Sequence, residues 1–156
     1  MMEEFEKNLL AAQGYAELGL HKEALEELDL LPTLLREHPQ VLEMRLIILM
    51  QWEAWKEAFV VSQRLCKAAP KSPIAFIHAA FCLHELGRTD EAKFTLLNGP
   101  VALQDDPTFH YNLACYECVL GEVESARAHL ERSFSIDRKF REFAKSDPDL
   151  KPLQVY

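Results

Sequence analysis

The sequence predicts an all-α fold, a right-handed solenoid of about four helix pairs that is closed by a C-terminal capping helix. One residue type recurs at equal intervals along the chain, at Ala24, Ala58, Ala92 and Ala126. In addition, the segments 76–97 and 110–131 are near-copies of one helix–turn–helix unit, in which Gly87 aligns with Gly121. A period of roughly 34 residues is typical of helix-pair repeats, which bury their apolar faces only by stacking on neighbouring repeats.

Turn residues divide the first half of the chain into two helix pairs, 5–38 and 39–72. Gly19 suits the left-handed end of the first helix, and Pro32 interrupts its partner. The second pair opens at Pro39 and closes before Pro70. The predicted helices are 3–19, 22–31 and 41–50, followed by a turn at 52–55 and a return helix that runs through Ala69. No segment alternates long enough to predict a strand.

The second half predicts pairs 73–106 and 107–137 in the same way. Ser72-Pro73 and Asp106-Pro107 each place a capping side chain before a proline in the first helical turn. Thr89 is predicted to cap the second helix of the third pair, which ends at the sequence Asn-Gly-Pro, 98–100. A ninth helix, 138–145, and a short turn from Asp147-Pro148 belong to a capping segment, 138–156. The prediction is a single domain, 1–156.

Composition excludes several kinds of partner. The formal net charge is −8 and the sequence pI is near 5.2, which argues against nucleic acids and anionic membrane surfaces. The acidic N-terminus does not read as a secretory signal, and no segment approaches the roughly 20 apolar residues of a membrane span. The four cysteines are compatible with reduced thiols. We therefore expect a cytoplasmic protein without membrane or nucleic-acid partners.

These features resemble the tetratricopeptide repeat (TPR) family over nearly the whole chain. That family places a glycine between the two helices of a repeat and an alanine on the second helix. The alanine position is filled in all four repeats, whereas the glycine position holds Gly19, Glu53, Gly87 and Gly121. Glu117 stands where a buried aromatic residue is usual, so we expect altered packing there, with Tyr116 or Leu120 filling the space. The tail 146–153 resembles tails of bacterial repeat proteins and predicts a bacterial source.

The resemblance implies a concave face, lined by the first helix of each repeat, that receives a peptide or a helix of another protein. The predicted partner-binding residues are Ile47, Met50, Ile77, His78, Phe81, His84, Tyr111 and Cys115. Their apolar character favours an apolar segment as the ligand. The alternative is that they are solenoid core or are covered by the chain's own tail. Some members of the family bind the C-terminal carboxylate of a partner with lysine and asparagine side chains on this face. The corresponding positions here hold Leu9, Gln13, Glu43 and Ile47, so we do not expect that kind of binding.

Chemistry at the cysteines is a weaker hypothesis. Cys115 and Cys118 share one helix face, and His78 and His84 on a neighbouring helix would complete four zinc ligands. The pair lies in the middle of a predicted helix, however, where a redox pair gains nothing from a helix N-terminus. Buried cysteines commonly serve as small apolar residues. We expect no catalytic residues, no metal and no cofactor.

The function predicted from these features is a non-enzymatic scaffold for protein–protein interaction. A dedicated secretion chaperone that holds one export substrate in the same groove is the first alternative. A metal- or thiol-dependent activity at Cys115 and Cys118 is the second. Self-association is also compatible with the sequence, since open solenoid ends and a groove can accept another copy.

Overall fold

The computed structural model describes residues 2–154, and these residues form helices and connecting turns without any β-strand. They divide into two compact units at the boundary between Pro70 and Lys71. We call residues 2–70 the N-terminal unit and residues 71–154 the C-terminal unit. Each unit contains two helix pairs. The predicted domain 1–156 also includes Met1, Val155 and Tyr156, which lie outside the described residues.

The N-terminal unit contains the first two helix pairs and one short extra helix. Its elements are α1 Met2–Glu17, α2 His21–Asp29, α3 Thr33–Arg36, α4 Pro39–Gln51 and α5 Trp55–Ala68. The four helices of the pairs agree with prediction to within the usual uncertainty of helix ends. The short helix α3 was missed, because a single helical turn shows no apolar periodicity. The core of α1, α2 and α4 includes Phe5, Ala12, Leu28 and Val41.

The C-terminal unit contains the other two helix pairs and the capping segment. Its elements are α6 Pro73–Glu85, α7 Thr89–Leu97, a 3₁₀ helix Val101–Asp105, α8 Pro107–Val119, α9 Val123–Ile136, α10 Phe140–Ser146 and a second 3₁₀ helix Pro148–Leu153. The predicted capping helix, 138–145, corresponds to α10. The turn predicted from Asp147-Pro148 is the second 3₁₀ helix, whose Leu150 is completely buried.

The repeated alanines are all in the interior of the protein. Ala24, Ala58, Ala92 and Ala126 are all 0% exposed. Each stands on the second helix of its pair, where a larger side chain would overpack the interior. The regular alanine step of the sequence therefore marks one packing position that occurs four times in the described chain.

The turns within the helix pairs share one backbone conformation. Gly19, Gly87 and Gly121 have positive φ angles of 76°, 78° and 82°. Glu53 occupies the corresponding position of the second pair and also has a positive φ, 56°. The structure therefore keeps the left-handed turn even where the sequence has lost its glycine, and Glu53 is strained there, because a Cβ atom disfavours this region.

Two of the predicted helix caps differ in the structure. Thr89 does not cap α7: it is the first residue of that helix, and its side chain bonds His84 instead, with 2.9 Å between Oγ1 and Nδ1. Ser72 precedes α6 with extended backbone but makes no side-chain cap hydrogen bond. Asp106 does cap α8 as predicted, since its Oδ1 accepts from the Thr108 amide at 2.8 Å.

Candidate functional site

The N-terminal unit has an open cavity between α1 and α4. Its volume is about 290 Å³, and its lining comprises Leu9, Leu10, Gln13, Gln40, Glu43, Met44 and Ile47. These residues recur three or four positions apart on each helix, so both helices turn one side toward the cavity. Leu10 is 69% exposed, so its side chain is available for contact at the edge of the cavity.

The chemistry of this cavity suits an apolar segment with few polar groups. Four aliphatic or thioether side chains form most of the lining, whereas Gln13, Gln40 and Glu43 supply hydrogen-bonding groups. Among the described lining residues, the carboxylate of Glu43 is the single charge. Ile47, one of the predicted binding residues, belongs to this cavity. Met50, the other predicted residue of α4, is half-buried and lies outside it.

The remaining predicted binding residues lie on α6 and α8 of the C-terminal unit. Ile77, Tyr111 and Cys115 are 4%, 7% and 5% exposed. The other three, His78, Phe81 and His84, are half-buried. Burial lowers the pKa of His78, because desolvation disfavours the imidazolium form. This part of the predicted face is therefore much less open than the α1–α4 cavity.

The start of the second 3₁₀ helix covers part of that face. The Tyr111 hydroxyl donates to Oδ2 of Asp147 at 2.7 Å, and the Cys115 thiol lies 3.6 Å from the same oxygen. Slightly farther along the segment, Oδ2 of Asp149 lies 2.8 Å from Nε2 of His84. Three predicted binding residues thus contact the chain's own C-terminal segment, and a partner would have to displace that segment to reach them.

A cavity of about 510 Å³ is bordered by this segment, α6 and α8. We call it the tail cavity. Its walls comprise Phe81, His84, Glu85, Tyr111, Asn112, Cys115, Tyr116, Asp147, Pro148 and Asp149. Prediction from sequence did not assign Asp147 or Asp149 to any site. The sequence Asp147-Pro148 predicts the start of a helical turn, but it does not show that the Asp147 carboxylate also contacts α8.

The cysteines do not have the properties of catalytic thiols. All four are free, and Cys82, Cys115 and Cys118 are buried. Burial raises the pKa of the Cys115 thiol well above its usual range, and the neighbouring Asp147 carboxylate raises it further. Burial also raises the pKa of Cys118. A thiol-based catalyst needs the opposite, a lowered pKa that provides thiolate.

The four zinc ligands considered from the sequence are not brought together. Among the described residues, the potential metal ligands that do converge are Cys115, Asp147 and Asp149, whose ligand atoms lie within 4.8 Å of one another. Cys118 and His78 do not belong to this group. Cys115 therefore lies beside two carboxylates from a segment much later in the chain, and not beside the ligands that the sequence pattern suggested.

Comparison with known proteins identifies the fold. No model of a protein family matches this sequence, and no curated protein matches it. Among solved structures, MamA 41-end from Desulfovibrio magneticus RS-1 matches with a TM-score of 0.76 and 16% identity, over 86% of this chain and 76% of that one. YrrB, described as a TPR protein with an unusual peptide-binding site, matches with a TM-score of 0.69 and 12% identity, over 94% of this chain and 80% of that one. The chain has a TPR fold.

This result confirms the predicted all-α fold of the helix-pair solenoid type. The MamA double mutant ArsTM gives the same result, with a TM-score of 0.76 and 16% identity, over 91% of this chain and 78% of that one. The bacterial source stays a prediction, as does the cytoplasmic location. In the part of the chain that the structure describes, no helix is both long enough and apolar enough to cross a membrane.

The fourth repeat departs from the usual TPR packing at Glu117. This carboxylate is only 2% exposed and its Oε1 contacts Nδ1 of His129, and Nζ of Lys93 lies 3.5 Å from its Oε2. As expected, Tyr116 fills the adjacent interior and is 1% exposed, but Leu120 is 37% exposed and does not. A polar cluster thus stands where the TPR resemblance placed an aromatic residue. It consists of Lys93 on α7, Glu117 on α8 and His129 on α9, so it connects three helices.

The two tryptophans lie at the turn between α4 and α5. Trp55 is half-buried at the start of α5. Trp52 is 50% exposed, and its ring stacks on His21 with 5.7 Å between the centroids. Neither residue lines the α1–α4 cavity, so neither enters the candidate site.

Proposed function

We propose that this protein is a non-enzymatic scaffold that binds an apolar peptide or helix of another protein. The open α1–α4 cavity carries this proposal. A surface that exposes Leu10 and presents Met44 and Ile47 beside few polar groups is suited to apolar anchor side chains. The description of YrrB as a TPR protein with a peptide-binding site supports the same kind of function.

The binding surface proposed from the sequence is larger than this cavity. It comprises Ile47, Met50, Ile77, His78, Phe81, His84, Tyr111 and Cys115. Ile47 belongs to the open cavity, whereas Tyr111, Cys115 and His84 contact the C-terminal segment. We propose the α1–α4 cavity as the binding site of the N-terminal unit, because the Leu10 side chain at its edge is exposed. Contact with the α6 and α8 residues would require the C-terminal segment to move.

Peptide binding to matched variants tests this function. A random peptide library is selected on the wild-type protein, and the selected peptides are titrated by fluorescence anisotropy. Leu10→Asp places a charge in the cavity wall and should weaken binding at least about tenfold, as expected at a binding hot spot. Leu34→Asp is the control, because Leu34 is 93% exposed on α3 of the same unit and lies outside the cavity.

The two variants separate the possible outcomes. Loss of binding in Leu10→Asp alone supports the α1–α4 cavity as the site. Equal binding by both variants would reject the cavity, and failure to select any peptide would reject the scaffold function. A secretion chaperone would instead retain one export substrate when it is isolated from its host, and that substrate should dissociate from Leu10→Asp.

A further inference from the structure

The tail cavity contains a cluster of metal-ligand types that the scaffold function does not use. The thiol of Cys115 on α8 converges with the carboxylates of Asp147 and Asp149, with all three ligand atoms within 4.8 Å. The Cys115 sulfur and Oδ2 of Asp147 are 3.6 Å apart. Ligand atoms of a tetrahedral zinc site stand about 3.5 Å apart, given bond lengths of about 2.3 Å to sulfur and about 2.0 Å to oxygen.

A set of outer contacts holds these groups in place. The Tyr111 hydroxyl donates a hydrogen bond to Asp147 at 2.7 Å, and Nε2 of His84 lies 2.8 Å from Oδ2 of Asp149. The other ring nitrogen of His84 is 2.9 Å from the Thr89 hydroxyl, which fixes the orientation of the ring. Metal-binding carboxylates and histidines are characteristically held by such second hydrogen bonds.

Tyr116 gives an independent indication that a ligand belongs here. It lines the tail cavity, its side chain is 1% exposed, and its hydroxyl has no hydrogen-bond partner among the described residues. A buried hydroxyl without a partner is uncommon, and an ion or an ordered water is a usual reason for one.

We propose that Cys115, Asp147 and Asp149 form a binding site for one zinc ion, with water as the fourth ligand. One sulfur and two carboxylate oxygens suit a borderline-soft cation, whereas Mg²⁺ and Ca²⁺ prefer oxygen ligands alone. Cys115 releases its thiol proton to solvent when it binds, so two carboxylates, one thiolate and Zn²⁺ leave a net charge of −1. Tyr116 can then hydrogen-bond the bound water.

The proposed site joins the repeat to the C-terminal segment. Cys115 belongs to α8, whereas Asp147 and Asp149 flank the start of the second 3₁₀ helix. Bound zinc would therefore hold that segment on α8 and keep Tyr111 and Cys115 covered. Removal of the metal would favour release of the segment, which links metal occupancy to the accessibility of this face.

Titration of the metal-free, reduced protein with Zn²⁺ tests the proposal. Isothermal titration calorimetry should show one zinc ion per chain, and Mg²⁺ or Ca²⁺ should not compete at equal concentration. Co²⁺ in place of zinc should give a thiolate-to-cobalt charge-transfer band, because Cys115 is a ligand. Cys115→Ser should abolish that band, and Asp149→Asn should weaken Zn²⁺ binding at least about tenfold.

Two control variants lie close to the site without belonging to it. Cys118→Ser changes a buried cysteine of the same helix, and Glu85→Gln removes a carboxylate from the wall of the same cavity. Both should bind Zn²⁺ as the wild type does. Absence of stoichiometric binding, or a thiolate band that persists in Cys115→Ser, would overturn the proposal. If Cys115→Ser does not fold by circular dichroism, Asp149→Asn decides the question.

Discussion

The Tyr111 hydroxyl donates a 2.7 Å hydrogen bond to Oδ2 of Asp147, across 36 residues of sequence. This bond joins α8 to the start of the second 3₁₀ helix, whose Leu150 and Leu153 are buried. The contact has two consequences: it closes the end of the C-terminal unit, and it covers a face that the TPR resemblance assigned to a partner. Both consequences depend on how firmly the segment is held.

Removal of this hydrogen bond should loosen the C-terminal segment. Tyr111→Phe keeps the ring but leaves Asp147 without its hydroxyl donor, so the free energy of unfolding should fall by about 1.5–3 kcal/mol, as for hydrogen bonds to charged groups. Urea denaturation followed by circular dichroism measures this change. Tyr15→Phe is the control, because Tyr15 is 37% exposed in α1, and it should change stability by less than about 0.5 kcal/mol. Equal effects of the two variants would contradict the prediction.

A glycine at position 53 should stabilise the protein. Glu53 has a φ of 56°, and a Cβ atom in this region costs about 1–2 kcal/mol. Glu53→Gly removes that strain but adds freedom to the unfolded chain, so the net gain should be about 0.5–1 kcal/mol. Thermal unfolding is the measurement.

Glu57→Gly provides the matched comparison for position 53. Glu57 is exposed in the first turn of α5, where glycine disfavours the helix by up to about 1 kcal/mol. The two Glu→Gly changes should therefore shift the melting temperature in opposite directions. A decrease in both would show that Glu53 makes contacts that outweigh its backbone strain.

The buried carboxylate of Glu117 should be needed for stability. Glu117→Gln keeps the size of the side chain but removes the charge that His129 and Lys93 contact. Because Glu117 is 2% exposed, the loss should be about 1–3 kcal/mol. The control is Glu122→Gln, which removes a 2.7 Å ion pair with the same Lys93 from a side chain that is 43% exposed; it should lose no more than about 1 kcal/mol. A larger loss of stability in Glu122→Gln than in Glu117→Gln would contradict the prediction, because it would make the exposed ion pair of Lys93 the more stabilising one.

Acid should destabilise the protein through His110. This residue is 5% exposed, and its Nε2 lies 2.8 Å from the Gln104 carbonyl oxygen. Burial lowers its pKa, and the positive charges of His129 and Arg132 lower it further, whereas the Gln104 contact and Asp106 act in the opposite direction. The unfolded chain then binds more protons than the folded one as the pH falls below about 6.5.

The contribution of His110 makes the free energy of unfolding depend on pH. The stability associated with neutral His110 is complete above about pH 6.5 and is lost as the pH falls toward the lowered pKa of the folded state. Urea unfolding between pH 7.5 and 5.0 should show this decline, and it should be smaller in His110→Gln, which retains a donor for Gln104. His21→Gln is the control at a partly exposed site. An identical pH profile for His110→Gln and the wild type would exclude His110 as a source.

The repeat architecture could be predicted from local signals. The regular spacing of the alanines identified the packing position, and turn residues located the helices of the four pairs and the capping helix. Glu53 shows that a missing glycine does not predict a different turn, since the backbone at this position is left-handed without one. Thr89 shows a second limit of sequence signals. Its hydroxyl bonds His84 of the preceding helix, a partner that the local capping pattern does not include.

The candidate sites required the fold. Leu10 and Met44 were not distinguished from other apolar residues of amphipathic helices, because sequence periodicity assigns a side chain to a helix face but not to an open or a covered part of it. The tail cavity could be predicted only in part: its residues on α6 and α8 were named, and cover by the chain's own tail was an open alternative. Asp147 and Asp149 were not assigned, because they reach Cys115 and His84 from far along the chain.

The sequence by itself determined that the chain forms helix pairs of the TPR type, because the spacing of small residues and turn residues is a local property repeated along the chain. The tertiary structure decided which surfaces are open and which are filled. Tyr111 and Asp147 illustrate the difference: each has an ordinary local role, in a helix and at a helix cap, and only the packing of the C-terminal segment on α8 brings them within hydrogen-bonding distance.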